Sequence, residues 1–342
     1  MWRQGTAAQA AFGKPDGIKE EQSVFRPGED GRDVLISECG PRDGLQILTQ
    51  IMPTAEKCRW IAALHGAGLK EIEVCSFVPA KLMPQMADAA QVVAFARTLP
   101  GLTVLALVPN RKGAEAALTA GATKLTIPVS GSEGHSRANV RKSRAEMVDE
   151  VAAIVRLRDA LAPDVPVEAN ISVAFGCTID GHVDESEVIA LAERLVATGV
   201  DDTGLSDTTG MGNPAQVRRM FARLIDRIGA KCGAAHLHNT RGLGIANALA
   251  AYEAGVRVFD ASHCGIGGCP HAPGASGNVV TEDLVFMFEA MGIRTGVDPE
   301  ALIAARSIVA GALPGVELHG MLAGAGLPRN HPYPHPPEAP RT

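Results

Sequence analysis

The chain has 342 residues and a mass of 35.6 kDa, with 46% apolar, 20% charged and 4% aromatic residues. That composition supports a globular domain of barrel size with a full core, and excludes a chain disordered throughout. A net charge of −6 leaves no basic field for nucleic acid or an anionic membrane, and so few aromatics leave no base-stacking surface.

Residues 1–31 read as a flexible N-terminal tail with no apolar stretch suited to a secretory signal. After them one rhythm repeats: a short β-rich run, a polar loop, a helical stretch, then glycine. The strand candidates are 33–39, 70–76, 103–109, 124–130, 166–174, 202–206, 234–239 and 256–262. The sixth is weak in β propensity and is placed because the rhythm needs it. Helices are expected over 54–67, 84–98, 111–120, 143–161, 184–198, 213–228, 244–254 and 279–291. Pro53-Thr54 and Asn213-Pro214 give start signals, and Glu282 and Asp283 put acid in the first turn of the last helix. Gly68, Gly121, Gly199 and Gly255 give stop signals just before the next strand.

Eight strands alternating with eight helices leave a doubly wound open sheet or a closed (β/α)8 TIM barrel, and the single-domain length favours the barrel. We expect the catalytic barrel over 32–295, a C-terminal helical extension over 296–326 with a helix at 299–312, and a Pro-rich disordered tail over 327–342. No run of about 18 apolar residues appears, so no membrane helix is expected. Seven cysteines at irregular spacings, without a CxxC pair, point to a reducing, cytoplasmic setting.

In a barrel the C-terminal strand ends carry the chemistry. After the first strand, Gly40-Pro41-Arg42-Asp43-Gly44 reads as a tight turn presenting Arg42 and Asp43; a capped turn with a surface ion pair is the equal alternative. On the second strand, Glu71, Glu73 and Cys75 share one face. A carboxylate inside such a strand is costly unless paired, which favours a role for Glu73 over a solvated strand end. His236 and His238, two apart on the seventh strand, project from the same face at metal-ligand spacing. Asp207 follows the sixth strand as a neighbouring carboxylate, a cap or turn residue being its bland alternative. After the eighth strand a glycine-rich loop reaches Asn278. It is suited to closing over a site, with Cys269 accessible and Cys264 a small buried hydrophobe.

Two imidazoles, a carboxylate and an amide oxygen form a mixed N/O set suited to Mg²⁺ or Mn²⁺, with Zn²⁺ as a further choice. A metal there would acidify a substrate hydroxyl, Arg42 would neutralise an oxyanion, and Cys269 would carry a proton on the closing loop. Together these suit carbon–carbon cleavage at a 3-hydroxyacyl group.

The segments CGPRDGLQ (39–46), IEVCSFV (72–78), LSDTTG (205–210), HLHNTRG (236–242) and GIGGCPHAPGASGN (265–278) closely resemble, in order, motifs of the 3-hydroxy-3-methylglutaryl-CoA lyase family of metal-dependent aldolase-like barrels. The resemblance covers about residues 33–295. It implies retro-Claisen cleavage of that ester to acetyl-CoA and acetoacetate, on an acyl-CoA substrate, by a homodimer. It also implies that Asp43, His236, His238 and Asn278 hold the metal and that Arg42 stabilises the enolate. By the same resemblance, Glu73 and Asp207 are site carboxylates, Cys269 is the lid cysteine, and His236 and Asp207 are candidates for proton transfer. Asn239 and Arg241 stand where the family usually has Asp and Tyr, and His271 replaces a common aromatic. These departures keep a related ester such as citramalyl-CoA in view, with Arg241 as a reader of its distal carboxylate. Two other classes compete. A phosphate- or flavin-binding barrel would use Gly265–Gly268 and would be yellow with flavin. A non-catalytic scaffold would need no convergence of Asp43, His236, His238 and Asn278.

Overall fold

The computed structural model describes residues 25–28, 30–267 and 277–329. Eight parallel strands close into a barrel in sequence order, β8 pairing with β1. The strands are β1 (Leu35–Glu38), β2 (Glu71–Ser76), β3 (Thr103–Leu107), β4 (Lys124–Ser130), β5 (Val167–Ser172), β6 (Thr203–Asp207), β7 (Cys232–Leu237) and β8 (Val258–Ala261). Eleven α-helices are described: α1 (Thr54–Gly66), α2 (Ala89–Ala96), α3 (Arg111–Ala120), α4 (Glu133–Val140), α5 (Arg144–Leu161), α6 (Glu185–Ala197), α7 (Pro214–Ile228), α8 (Gly244–Ala254), α9 (Thr281–Ala290), α10 (Pro299–Ala312) and α11 (Met321–Ala325). The expected TIM barrel is the architecture found, with α10 packed against α1. Among the described residues no helix is long and apolar enough to cross a membrane.

Local chemistry explains most boundaries. Asn213 caps α7 by accepting from Gln216 N, with Pro214 at the first helical position. Gly121 and Gly255 end α3 and α8 in the left-handed conformation. The weak sixth strand forms because Gly204 brings it close to β7: a Cβ there would lie 2.2 Å from the Ala234 carbonyl oxygen.

Four expectations need correction. The helix expected over 84–98 splits into a 3₁₀ turn (Pro84–Met86) and α2, because the Asp88 carboxylate is drawn to Lys57 Nζ (2.6 Å) and Thr54 Oγ1 (2.7 Å). The expected loop after β4 contains α4, capped by Ser132, which accepts from His135 N. The turn after β1 is a five-residue π-helical turn, Gly40–Gly44. Strand β7 starts at Cys232 and stops at Leu237, so His238 lies just beyond it and pairs with Asn278 in an isolated antiparallel bridge.

Candidate active site

The site is assembled at the strand ends from the bottom up. Glu38 closes β1 and is wholly buried. Its Oε1 accepts from Gly40 N and His263 N, both at 2.8 Å, and its Oε2 accepts from Thr281 Oγ1 at 2.6 Å. One carboxylate thus joins the turn after β1, the segment after β8 and the start of α9. Burial pushes its pKa up to about 8, against these three donors.

The π-helical turn then presents Arg42 and Asp43. Arg42 Nη2 meets Glu73 Oε2 at 2.6 Å, and Nη1 donates to Asp43 Oδ1. Burial opposes the charge on Arg42, but Asp43 and Glu73 hold its pKa above the ordinary value. Burial also acts against ionised Asp43. Arg42, then the two imidazoles, outweigh it and bring the carboxyl down to about 2. Glu73 differs. Burial lifts it to about 7 despite Arg42, and its Oε1 is buried with no partner.

The two histidines converge on Asp43. His236 Nε2 lies 3.2 Å from His238 Nε2 and 3.9 Å from Asp43 Oδ2. Asp260 Oδ2, on β8, binds His236 Nδ1 at 3.0 Å and, against burial, raises the His236 pKa. Burial first, then His236, lower His238 to about 3, leaving it neutral. Asn278 Nδ2 donates to Asp43 Oδ2 at 2.7 Å.

This set fits a divalent metal. Ligand atoms of Asp43, His236 and His238 all lie within 4.8 Å of one another. Asn278 Oδ1 is buried beside them without a hydrogen-bond partner. A neutral imidazole and an ionised carboxylate are the protonation states that coordination requires. A second group, His263, Cys264 and Glu282, is equally close but already committed. His263 Nδ1 accepts from Trp60 Nε1, His263 Nε2 faces the Leu302 carbonyl, and Glu282 pairs with Arg306.

Arg42, Asp43, Glu73, His236 and His238 open on a cavity of about 460 Å³. Other predicted residues lie elsewhere. Asp207 ends β6, and its oxygens accept from Met211 N (2.8 Å) and Gly212 N (3.0 Å). Burial, opposed by those two N–H groups, lifts it to about 6. Its neighbours Ser206 and Thr208 line the cavity, whereas Asp207 does not. Arg241 is exposed and donates to the Thr209 and Gly210 carbonyls, both at 2.9 Å, outside the cavity lining. Asn239 Oδ1 accepts from Gly244 N. Among the cations of the segments after β3 and β4, Arg141 and Lys142 do line the cavity, whereas Lys112 does not and Arg137 pairs with Glu133. Cys269 and residues 268–276 lie outside the described residues.

Sequence reasoning missed Asp260, Glu168 and Asn170, all of which line the cavity. The signal that picked out Glu73, a polar side chain inside a barrel strand, was present for each of them.

A family model described as HMGL-like matches residues 33–309. The hydroxymethylglutaryl-CoA lyase YngG of Bacillus subtilis is 41% identical over 274 residues, covering 80% of this chain and 91% of that protein. The (R)-citramalyl-CoA lyase of Chloroflexus aurantiacus is 40% identical over 305 residues, covering 86% of this chain and 95% of that protein. A solved HMG-CoA lyase from Acinetobacter baumannii, in complex with coenzyme A and 3-methylmalate, superposes with a TM-score of 0.82 at 39% identity, covering 88% of this chain and 98% of that one.

Proposed function

The chain belongs to the HMGL-like family, and from that premise we propose that it cleaves 3-hydroxy-3-methylglutaryl-CoA to acetyl-CoA and acetoacetate by a retro-Claisen reaction. The observation that carries this reading is the convergence of Asp43, His236 and His238 in the cavity that also holds Arg42 and Glu73, with Asn278 hydrogen-bonded to Asp43.

Asp43, His236, His238 and Asn278 would hold Mg²⁺ or Mn²⁺, with Zn²⁺ as the further choice. Bound there, the ion lowers the pKa of a hydroxyl and polarises an oxygen. His236 has Nδ1 on Asp260 and Nε2 facing Asp43 and His238, so we assign it to holding the ion. The 3-hydroxyl proton then falls to Glu73, whose Oε1 is unpartnered and whose pKa is about 7. Arg42, fixed by Glu73 and Asp43, stabilises the enolate oxygen released when the C–C bond breaks. Cys269 returns a proton to the acetyl carbanion. Asp207, occupied with two backbone N–H groups, holds the loop after β6 rather than moving a proton.

The substrate is an acyl-CoA, and the protein is a cytoplasmic homodimer in this reading. The described cysteines are all free thiols, which suits a reducing compartment. Citramalyl-CoA is the second reading, favoured by the 40% identical lyase named above.

The test is metal-dependent cleavage. With Mg²⁺ or Mn²⁺ the methylglutaryl ester yields acetoacetate and acetyl-CoA, and Cys269→Ala loses the activity. Turnover of citramalyl-CoA alone would transfer the mechanism to the second substrate. Inactivity with both would sink the lyase reading.

A further inference from the structure

Below the catalytic set lies a second ionic cluster that the proposed chemistry does not use. Lys124 Nζ, buried at the bottom of the barrel, meets Glu168 Oε2 at 2.7 Å and Glu71 Oε1 at 3.1 Å. Asp202 lies beside them, its Oδ1 buried without a partner. Glu168 belongs to the linings of two cavities: the catalytic one, and one of about 530 Å³ at the opposite end of the barrel. It therefore forms part of the floor of the catalytic cavity. That floor is fixed. Asn170 Nδ2 donates to Glu168 Oε1 at 3.1 Å, and Asn170 Oδ1 accepts from Gly204 N at 2.9 Å.

The charges in this floor do not cancel. Two carboxylates pair directly with one ammonium, and Asp260 adds another carboxylate within electrostatic range of Glu168. Burial raises the Glu168 pKa, while Lys124 acts to keep it ionised. The cation available in the depth is thus already over-compensated, and a substrate carboxylate sent there meets like charge in a low-dielectric site. The positive charge elsewhere in the cavity belongs to Arg42, already paired with Asp43 and Glu73, to Arg141 and Lys142, and to the ion that Asp43, His236 and His238 would hold.

We propose that Glu168, held by Lys124 and Asn170, sets acyl specificity by charge exclusion. The thioester accepted here carries one free carboxylate, directed toward the metal set and away from Glu168, and an uncharged branch on C3 that faces Glu168. This rests on the lyase reading above and names the substrate class within it.

The experiment compares two esters with the same reacting atoms: the methylglutaryl ester, and citryl-CoA, in which a second carboxylate replaces the C3 methyl. Wild type prefers the first. Glu168→Gln raises the citryl-to-methylglutaryl ratio of kcat/KM by about tenfold or more. Glu71→Gln, which leaves Lys124 and Glu168 as a neutral pair and lines only the lower cavity, moves the ratio in the same direction by about two- to fivefold. It also keeps the test decisive if Glu168→Gln fails to fold. Binding of the non-cleavable thioether analogues, followed by calorimetry, reads the same ratio without turnover. A chain that cleaves neither ester but shows the ratio shift in binding refutes the lyase reading and upholds the charge exclusion. An unchanged ratio in the folded variants, in turnover or in binding, overturns it.

Discussion

Asp260 Oδ2 and His236 Nδ1 lie 3.0 Å apart, and this contact determines which nitrogen of His236 faces Asp43 and His238. Outer carboxylates of this kind fix the tautomer and ring orientation of a ligating imidazole. Asp260→Asn should lower metal affinity by about 10- to 100-fold. Titration of the apoprotein with Mn²⁺, followed by electron paramagnetic resonance, measures it. Unchanged affinity would separate Asp260 from the metal set.

Arg42 bridges Glu73 and Asp43 through two nitrogens of one planar fork. Lysine keeps the charge but offers no fork. Arg42→Lys should cut kcat on the order of 100-fold or more while KM moves little, as expected for a contact that strengthens in the transition state. Steady-state kinetics on the methylglutaryl ester decides; a rise in KM at constant kcat would assign Arg42 to substrate binding.

Glu38 gives a pH prediction with a definite sign. Burial raises its carboxyl from 4.5 to about 8. Folding therefore favours the protonated form, and that contribution is complete below the unfolded value. It is lost as pH climbs through 8. The melting temperature should fall between about pH 5 and about pH 9, and Glu38→Gln should flatten that fall. Calorimetric scans across the range test it, and equal slopes in both proteins would refute it.

Arg241 spends its Nη1 on two carbonyls of the loop after β6 and stands apart from the cavity. Arg241→Ala should leave kcat/KM for the methylglutaryl and citramalyl esters within about twofold of wild type. A selective loss with either ester would restore Arg241 as a reader of the distal carboxylate.

The alternation of strands, helices and terminal glycines made the barrel legible, because each unit carries its own local signals. The strand at Thr203–Asp207 was weaker, since what specifies it is the close approach of Gly204 to Ala234, a contact between different segments. In the site, Arg42, Asp43, His236 and His238 were readable because paired or clustered ionisable residues at strand ends are costly without a purpose. Asp207 shows the limit. A carboxylate after a strand looks the same in sequence whether it faces substrate or binds Met211 N and Gly212 N. Glu38 was hidden for a related reason: its partners, His263 and Thr281, come from distant segments.

Glu38 also bears on the order in which the molecule is made. Its acceptor oxygens wait for His263 N, 225 residues downstream, and for Thr281 Oγ1, 243 residues downstream. On a ribosome adding about 5–20 residues per second, that gap lasts on the order of ten seconds or more. During that interval the nascent chain already contains Asp43 but has no Asn278 to set beside it. The seam between the first and last strands is thus sewn only when synthesis is nearly complete, so a chain terminated before residue 278 would lack Asn278 beside Asp43 and leave that seam unsewn.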